Sequence, residues 1–164
     1  MKQINAIANK IFTLPSLIAA VAGWRLKGQT ISFSNGCFDI LHEGHIFSLS
    51  QAASEGELLI VGVNSDASTK RLKGNERPIN NEQSRALLLA SLAIVDAVVI
   101  FEEDTPLNLI SNILPDVLVK GGDYTIGQIV GAKEVIANGG RVVINPIVQG
   151  FSTTGIIEKI RKIG

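Results

Sequence analysis

The feature that most constrains this chain is the stretch at residues 33–45, which reads as a strand end, a glycine-bearing turn and a helix start. A β-branched run at residues 30–32 precedes it, and apolar residues at helical spacing follow it at Ile46, Leu49 and Ala52. The first N–H groups of a helix lack partners within the helix, and the peptide dipoles make that end partly positive. The stretch therefore predicts an α/β fold with a phosphate site at this turn.

Two histidines, the only ones in the chain, stand at the predicted helix start. His42 and His45 are three residues apart, so they share one helix face, and Gly44 leaves the space between them free of a side chain. Gly36 allows the main chain to turn and to approach a ligand closely. Imidazoles placed in this way can donate hydrogen bonds to phosphate oxygens whose charge grows in a transition state. The pattern favours a displacement at phosphorus that releases pyrophosphate and needs no covalent nucleophile.

Other interpretations of this stretch stay open. A histidine pair at this spacing could bind zinc, although no third ligand of matching type stands nearby, or it could be a surface pair at a helix cap. The apolar residues Phe38, Ile40 and Leu41 are typical of core packing.

Apolar runs and helical segments alternate along the rest of the chain. Strands are predicted at residues 30–34, 57–63, 95–101, 116–120 and 141–145, with helices between them. This alternation predicts a Rossmann-like, doubly wound parallel sheet of five strands in the order 3-2-1-4-5. Open sheets of this kind bind ligands at the carboxyl ends of their strands, where this chain has Asn64, Asp66 and Lys120. Asp66 is also well placed to cap a helix.

The first 28 residues are predicted to form an extension with one helix, followed by a single domain at residues 29–164. The helix is expected from Pro15 to about Lys27, capped by Thr13 or Ser16. The apolar run at residues 17–22 imitates a signal peptide, but Pro15 interrupts it and the run is short. No stretch approaches the length of a transmembrane helix, so we expect no membrane partner.

Composition excludes several classes of protein. Fifteen basic residues balance fifteen acidic ones, which argues against a general nucleic-acid binder. Aromatic residues make up 5% of the chain, too few for stacking RNA bases. The lone cysteine, Cys37, excludes an internal disulfide framework and fits a reducing cytoplasm.

Specific motifs carry a family resemblance. His42-Glu43-Gly44-His45 resembles the HxGH signature of the nucleotidylyltransferase superfamily, and the run at residues 35–39 resembles the GxFD segment of its cytidylyltransferase-like branch. The segments at residues 64–66, 70–74, 77–78, 101–106, 118–124 and 152–154 resemble those of the D-glycero-D-manno-heptose 1-phosphate adenylyltransferases. The resemblance runs from about Lys10 to the end of the chain. It implies transfer of AMP from ATP to D-glycero-β-D-manno-heptose 1-phosphate.

The resemblance also implies roles for individual residues. His42 and His45 would stabilise the α-phosphate and the leaving group, and Lys73 would stabilise the growing charge. Lys73 lies in the basic segment at residues 70–78, whose glycine and proline favour a mobile, phosphate-binding lid over a solvated loop. Asp39 is expected to orient the turn or a histidine. The residues expected to bind nucleotide are Gly36, Cys37, Phe38, Asp39, Gly44, Asn64, Asp66, Lys70, Arg85, Lys120, Gly121, Asp123, Ser152, Thr153 and Thr154.

Cofactor and partners follow from the same resemblance. Mg²⁺ is expected to be held through the phosphates, because the sequence shows no dedicated protein cage. The acidic run at residues 102–104 could suggest a metal, but a helix cap by Asp104 or Thr105 is the preferred interpretation. The family often has an arginine shortly before the serine-threonine motif, where this chain has Val148-Gln149-Gly150. The implied partners are ATP, a sugar 1-phosphate, a second copy in a homodimer, and a separate kinase that supplies the heptose phosphate.

Two other functions remain open. The chain could be a cytidylyltransferase acting on glycerol 3-phosphate or a related alcohol phosphate, because loop shape decides the choice of base. It could also be an inactive nucleotide-sensing module that kept the fold. An RNA-binding domain is disfavoured by the neutral charge and the few aromatic residues.

Overall fold

A six-stranded parallel sheet forms the centre of the molecule in the computed structural model, which describes residues 5–146 and 150–163. The strands are β1 (Ile11–Phe12), β2 (Ile31–Gly36), β3 (Leu58–Asn64), β4 (Ala97–Phe101), β5 (Val117–Gly121) and β6 (Arg141–Asn145). Their spatial order is β1-β4-β3-β2-β5-β6. Chain order reverses on either side of β2, so a crevice opens beyond the carboxyl ends of β2 and β5.

Helices cover both faces of the sheet. They are α1 (Leu14–Leu26), α2 (Glu43–Ala53), α3 (Asp66–Lys73), α4 (Glu82–Ala90), α5 (Leu107–Ile113), α6 (Ala132–Ala137) and α7 (Thr153–Ile163), with short 3₁₀ turns at Ala8–Lys10 and Ile126–Gln128. Apolar residues of α1, α5 and α6 pack against one face, and those of α2 and α4 pack against the other. Successive residues of β3 contribute to opposite faces: Ile60 belongs to the first core, Leu59 and Val61 to the second.

The doubly wound Rossmann-like fold is confirmed, and so is the order of the five predicted strands. The structure adds one strand, the two-residue β1, which forms the edge of the sheet and pairs with β4 through Ile11 and Val98. Two residues are too few to show a period along the sequence, which is why β1 was not predicted.

The N-terminal segment packs on the same core as the rest of the chain. Thr13 and Ser16 form a reciprocal capping box at the start of α1. Leu17 is fully buried, and Trp24 meets Phe12 edge to face with ring centroids 6.1 Å apart. The boundary proposed at residue 28 stays a prediction.

Local structure differs from expectation in three segments. The predicted lid is helical up to Lys73, because α3 continues until Gly74, whose φ of 102° ends it. Between β5 and β6, where the sequence predicts a helix, the chain forms the 3₁₀ turn at Ile126–Gln128 followed by the six-residue α6. The preferred cap for α5 was wrong, since the helix begins after Pro106 and has no side-chain cap. None of the described helices is long and apolar enough to cross a membrane.

Candidate active site

A cavity of about 660 Å³ lies at the carboxyl ends of β2 and β5, at the predicted crevice. Most of the predicted site residues line it: Gly36, Cys37, Phe38, Asp39, His42, His45, Asn64, Lys73, Lys120, Ser152, Thr153 and Thr154. The fold therefore brings together segments that are more than 100 residues apart in the sequence.

The histidine wall, formed by His42 and His45, stands at the start of α2. His42 has an extended backbone as the N-cap of that helix, and its carbonyl accepts a hydrogen bond from the His45 N–H at 2.9 Å. The two rings stack with centroids 3.8 Å apart and 17° between their planes. Phe38 meets the His45 ring edge to face at 5.3 Å. Both Nδ1 atoms are buried and have no hydrogen-bond partner among the described residues.

Burial favours the neutral form of both imidazoles. It lowers the pKa of His42 below its usual value. For His45, burial is the largest cause, the neighbouring His42 adds to it, the Ile40 backbone opposes it, and the pKa falls to about 4. A neutral imidazole has one N–H and one bare nitrogen, so each ring can donate one hydrogen bond to an anion.

The start of α7 forms the opposite wall. Ser152 Oγ accepts a hydrogen bond from the Gly155 N–H at 2.9 Å and so caps the helix. Thr153 Oγ1 donates to the Ile40 carbonyl at 3.3 Å, which ties this helix to the turn before α2. A Cβ at Gly44 would lie 3.0 Å from Phe151 Cβ and 3.1 Å from His42 Nδ1. A residue larger than glycine would therefore force the two walls apart.

Two lysines give the cavity positive charge. Lys120 at the end of β5 is partly buried, and its Nζ lies 3.4 Å from Asn35 Oδ1. Burial lowers its pKa most, Lys73 lowers it further, and Cys37 acts in the opposite direction. The nearby Asp104 carboxylate pairs with Arg71 at 2.7 Å. The cavity therefore suits a polyanion such as a phosphate chain.

Asp39 is buried, at 2% exposure, and positions a loop. Its Oδ1 accepts hydrogen bonds from the backbone N–H groups of Ile79 and Asn80 at 2.7 and 3.0 Å, and its Oδ2 pairs with Arg77. These contacts occupy most of its lone pairs, so the carboxylate holds residues 77–80 and is not available as a general base.

Arg85 lies beneath the cavity floor and is fully buried. Its guanidinium donates to the carbonyls of Cys37, Asn64 and Asn80 at 2.5, 2.8 and 3.0 Å, and to the Asp66 carboxylate at 2.8 Å. It joins the ends of β2 and β3 to the loop before α4. The structure gives Arg85 a supporting position, whereas the sequence predicted contact with phosphate or substrate.

Six predicted residues do not line the main cavity: Gly44, Asp66, Lys70, Arg85, Gly121 and Asp123. Asp66 and Lys70 line a separate, smaller cavity between α3 and residues 75–81. The cap of α3 is Ser65, whose Oγ accepts a hydrogen bond from the Ser68 N–H, so the alternative that Asp66 caps this helix was wrong. Val148 and Gln149, at the place of the family arginine, lie outside the described residues.

The cavity also includes residues that were not predicted as site residues: Asn35, Leu72, Arg77, Asp104, Thr105, Pro106, Leu118, Tyr124, Gln128, Ile129, Val130 and Phe151. Arg77 stands in a motif that carried the resemblance, so a signal for it existed. The sequence gave no such signal for Phe151 or Val130. Their positions at the cavity depend on how distant elements pack together, which no local sequence pattern shows.

Comparison with known proteins identifies the family of this chain. A family model described as cytidylyltransferase-like matches residues 33–159. The chain therefore belongs to the cytidylyltransferase-like family and is a nucleotidyltransferase, and the resemblance seen in its sequence is confirmed.

Two similar curated proteins share one name, bifunctional protein HldE. The bifunctional protein HldE of Koribacter versatilis is 57% identical over 150 residues, covering 92% of this chain and 31% of that protein. The HldE of Rhodospirillum rubrum is 50% identical over 159 residues, covering 97% and 32% respectively. The chain thus spans about a third of the length of the curated relatives it matches.

Solved structures share the fold. A lipopolysaccharide core biosynthesis protein from Thermoplasma volcanium superposes with a TM-score of 0.59 and 31% identity, over 74% of this chain and 98% of that one. A pantoate-beta-alanine ligase from Francisella tularensis gives a TM-score of 0.60 at 18% identity, over 93% and 77%, which shows a common fold alone.

Proposed function

We propose that this chain transfers AMP from ATP to D-glycero-β-D-manno-heptose 1-phosphate, giving ADP-heptose and pyrophosphate. The observation that carries the proposal is the stacked histidine pair that faces the start of α7 across a cavity containing Lys73 and Lys120. The sequence motifs of residues 64–154 and the HldE relatives support the choice of acceptor.

In this reaction an oxygen of the sugar phosphate attacks the α-phosphorus of ATP. The bond from that phosphorus to the bridging oxygen breaks, and pyrophosphate leaves with the electron pair. His42 and His45 would each donate a hydrogen bond to the α-phosphate or the leaving group, and Lys73 would offset the growing charge. The start of α7 would hold the distal phosphates through backbone N–H groups and hydroxyls.

The site has no need of a general base. An acceptor phosphate monoester is already largely ionised near neutral pH, so its attacking oxygen carries no proton that must be removed. This agrees with the position of Asp39, whose carboxylate is occupied by Arg77 and two backbone donors. Catalysis then rests on positioning and on charge stabilisation.

Mg²⁺ is part of the proposal, bound chiefly by the phosphates of ATP. Among the described residues no group of three or more His, Cys, Asp and Glu side chains is arranged to hold a metal. The two cavity carboxylates, Asp39 and Asp104, are already paired with Arg77 and Arg71. This donor set fits a metal held by its substrate, and such an ion would neutralise charge on the phosphates.

The wider setting is proposed on the resemblance. A kinase, fused or separate, would supply the heptose 1-phosphate, and the name of the bifunctional relatives agrees with a second activity in those proteins. A homodimer and a cytoplasmic location also belong to the proposal.

The first test is pyrophosphate release with Mg²⁺, crossing ATP and CTP against heptose 1-phosphate and glycerol 3-phosphate. We expect turnover only with ATP and heptose 1-phosphate, and a fall of about 100- to 1,000-fold in His42→Ala and in His45→Ala, because each removes a preorganised donor. Thermal unfolding of the variants controls for folding. Turnover with CTP would instead indicate a cytidylyltransferase, and nucleotide binding without any turnover would indicate a sensing module.

A further inference from the structure

Arg77 is a cation of the cavity that lies in the predicted phosphate-binding lid, residues 70–78, but received no individual role from the sequence. Its side chain is 15% exposed, and it lines the main cavity together with Lys73 and Thr154. These same three residues also line a second cavity of about 310 Å³ between residues 73–79 and α7. Arg77 also lines the cavity that contains Asp66 and Lys70, so it stands where these three cavities meet.

Asp39 fixes the orientation of this arginine. The Arg77 Nε donates to Asp39 Oδ2, and the Asp39 side chain is fully buried. The other carboxylate oxygen accepts the backbone N–H groups of Ile79 and Asn80, and Asn80 Nδ2 returns a bond to the Asp39 carbonyl at 2.8 Å. Four hydrogen bonds thus join the turn after β2 to the loop that carries Arg77.

This arrangement leaves part of the guanidinium for a ligand. The terminal nitrogens of Arg77 donate to no acceptor within residues 5–146 and 150–163, whereas those of Arg71 and Arg85 do. A planar guanidinium with Nε held by a carboxylate presents its terminal N–H groups in a fixed direction, and this geometry matches phosphate oxygens. Ion pairing with Asp39 is therefore compatible with a second, anionic partner.

We infer that Arg77 is a phosphate-binding residue of this site and that Asp39 is its positioning residue. The inference rests on the proposed function for the source of the phosphate, which is either the distal phosphates of the nucleotide or the 1-phosphate of the acceptor. Both are tetrahedral phosphate oxygens recognised by the same guanidinium fork.

A purely structural ion pair is the competing explanation, and ligand binding separates the two. If the ion pair is only structural, Arg77→Gln melts at a lower temperature than the wild type, but a ligand raises the melting temperature of both proteins by the same amount. A phosphate-binding arginine loses that shift as well, because ligand stabilisation follows affinity. Arg77→Lys keeps the charge without the fork, and it serves if Arg77→Gln does not fold.

The experiment measures the dissociation constants of pyrophosphate and of heptose 1-phosphate by calorimetry, with the ligand-induced melting shift alongside. The variants are Arg77→Gln, Arg77→Lys, Asp39→Asn and the double variant Asp39→Asn with Arg77→Gln. Arg141→Gln is the matched control, since Arg141 forms an exposed ion pair with Glu55 near the opposite end of the sheet.

We expect Arg77→Gln to weaken one of the two ligands by about tenfold or more, the usual size of a lost charge-assisted bond. Weaker pyrophosphate binding assigns Arg77 to the nucleotide phosphates, and weaker heptose 1-phosphate binding assigns it to the acceptor. Asp39→Asn should weaken the same ligand less, and should add nothing in the double variant because it acts through Arg77. Arg141→Gln should match the wild type.

Affinities of Arg77→Gln and Arg77→Lys within twofold of the wild type for both ligands would overturn the inference. A wild type that binds pyrophosphate and ATP but does not turn over heptose 1-phosphate would overturn the proposed acceptor instead. In that case the pyrophosphate comparison, together with the same comparison for inorganic phosphate, decides the role of Arg77. The two failures are therefore distinguishable.

Discussion

The two walls of the cavity use the same device, the start of a helix, but they are attached to the protein very differently. The helix behind the histidine wall, α2, buries Leu49 and Ala52 almost completely against the sheet. By contrast, no described residue of α7 is buried, and Ile160 and Ile163 are 61% and 78% exposed. One wall belongs to the core and the other lies on the surface.

Few polar contacts compensate for this difference. Thr153 donates to the Ile40 carbonyl, and Arg161 pairs with Glu76, but both of those charged side chains are more than 60% exposed. Exposed ion pairs contribute about 0–1 kcal/mol. We therefore expect α7 to detach at a free energy well below that of global unfolding, while the histidine wall persists until the core unfolds.

The largest loss of stability should come from replacing Arg85, which lies beneath the cavity floor on the core side. Arg85→Met removes a buried guanidinium that binds three carbonyls and Asp66, so we expect the free energy of unfolding to fall by about 3 kcal/mol. Arg161→Met on the α7 side should cost less than about 0.5 kcal/mol, since its ion pair is exposed. Urea unfolding measures both. Equal losses would contradict the contrast between the walls.

The contact between the walls can be tested at Gly44. A methyl group in Gly44→Ala would press on Phe151 and His42, and we expect pyrophosphate release to fall about tenfold because the donors shift by a few tenths of an ångström. The matched control is Gly23→Ala in α1, where an added Cβ would meet nothing within 4 Å. That control should keep full activity and gain about 0.5–1 kcal/mol of stability. Unchanged activity in Gly44→Ala would show that the walls are not in close contact.

Burial of His45 makes the stability of the histidine wall depend on pH. Its pKa is lowered from 6.5 to about 4, so the unfolded chain takes up a proton before the folded one does. The contribution of neutral, buried His45 to the free energy of unfolding is fully present above about pH 6.5. It is lost as the pH falls toward 4. Between about pH 6.5 and pH 5 the wild type should lose about 1 kcal/mol more than His45→Gln, a figure reduced for partial exposure. Urea unfolding at both pH values gives the difference. Equal losses of stability in the wild type and in His45→Gln would mean that the His45 imidazole is solvent-exposed in the folded protein.

The smallest effects concern two serine caps. Ser65 caps α3 from a buried position, and Ser152 caps α7 from an exposed one. Ser65→Ala should lower the free energy of global unfolding by about 1 kcal/mol. Ser152→Ala should leave global unfolding nearly unchanged but speed amide exchange in α7 about fivefold, because that helix opens on its own. A global loss of similar size in Ser152→Ala would show that α7 is part of the cooperative core.

Prediction from sequence worked best where neighbouring residues carry the information. The alternation of strands and helices led to the correct order of β2 to β6, because crossover handedness leaves few alternatives. The position of Arg85 could not be predicted in the same way. In sequence, an arginine that binds backbone carbonyls beneath the cavity looks the same as one that contacts a phosphate inside it. Arg77 was predicted only as part of a phosphate-binding lid, because the pairing with Asp39 that fixes its side chain at the cavity is visible only in the fold.

The sequence by itself determined the glycine-bearing turn, the histidine pair and the doubly wound sheet around them. These features depend on residue spacing and on contacts between successive elements, which a linear pattern records. Only the tertiary structure decided which cations face the cavity and how closely α7 approaches α2. Those outcomes depend on contacts such as Thr153 with Ile40, 113 residues apart, whose geometry is set by the packing of the elements between them.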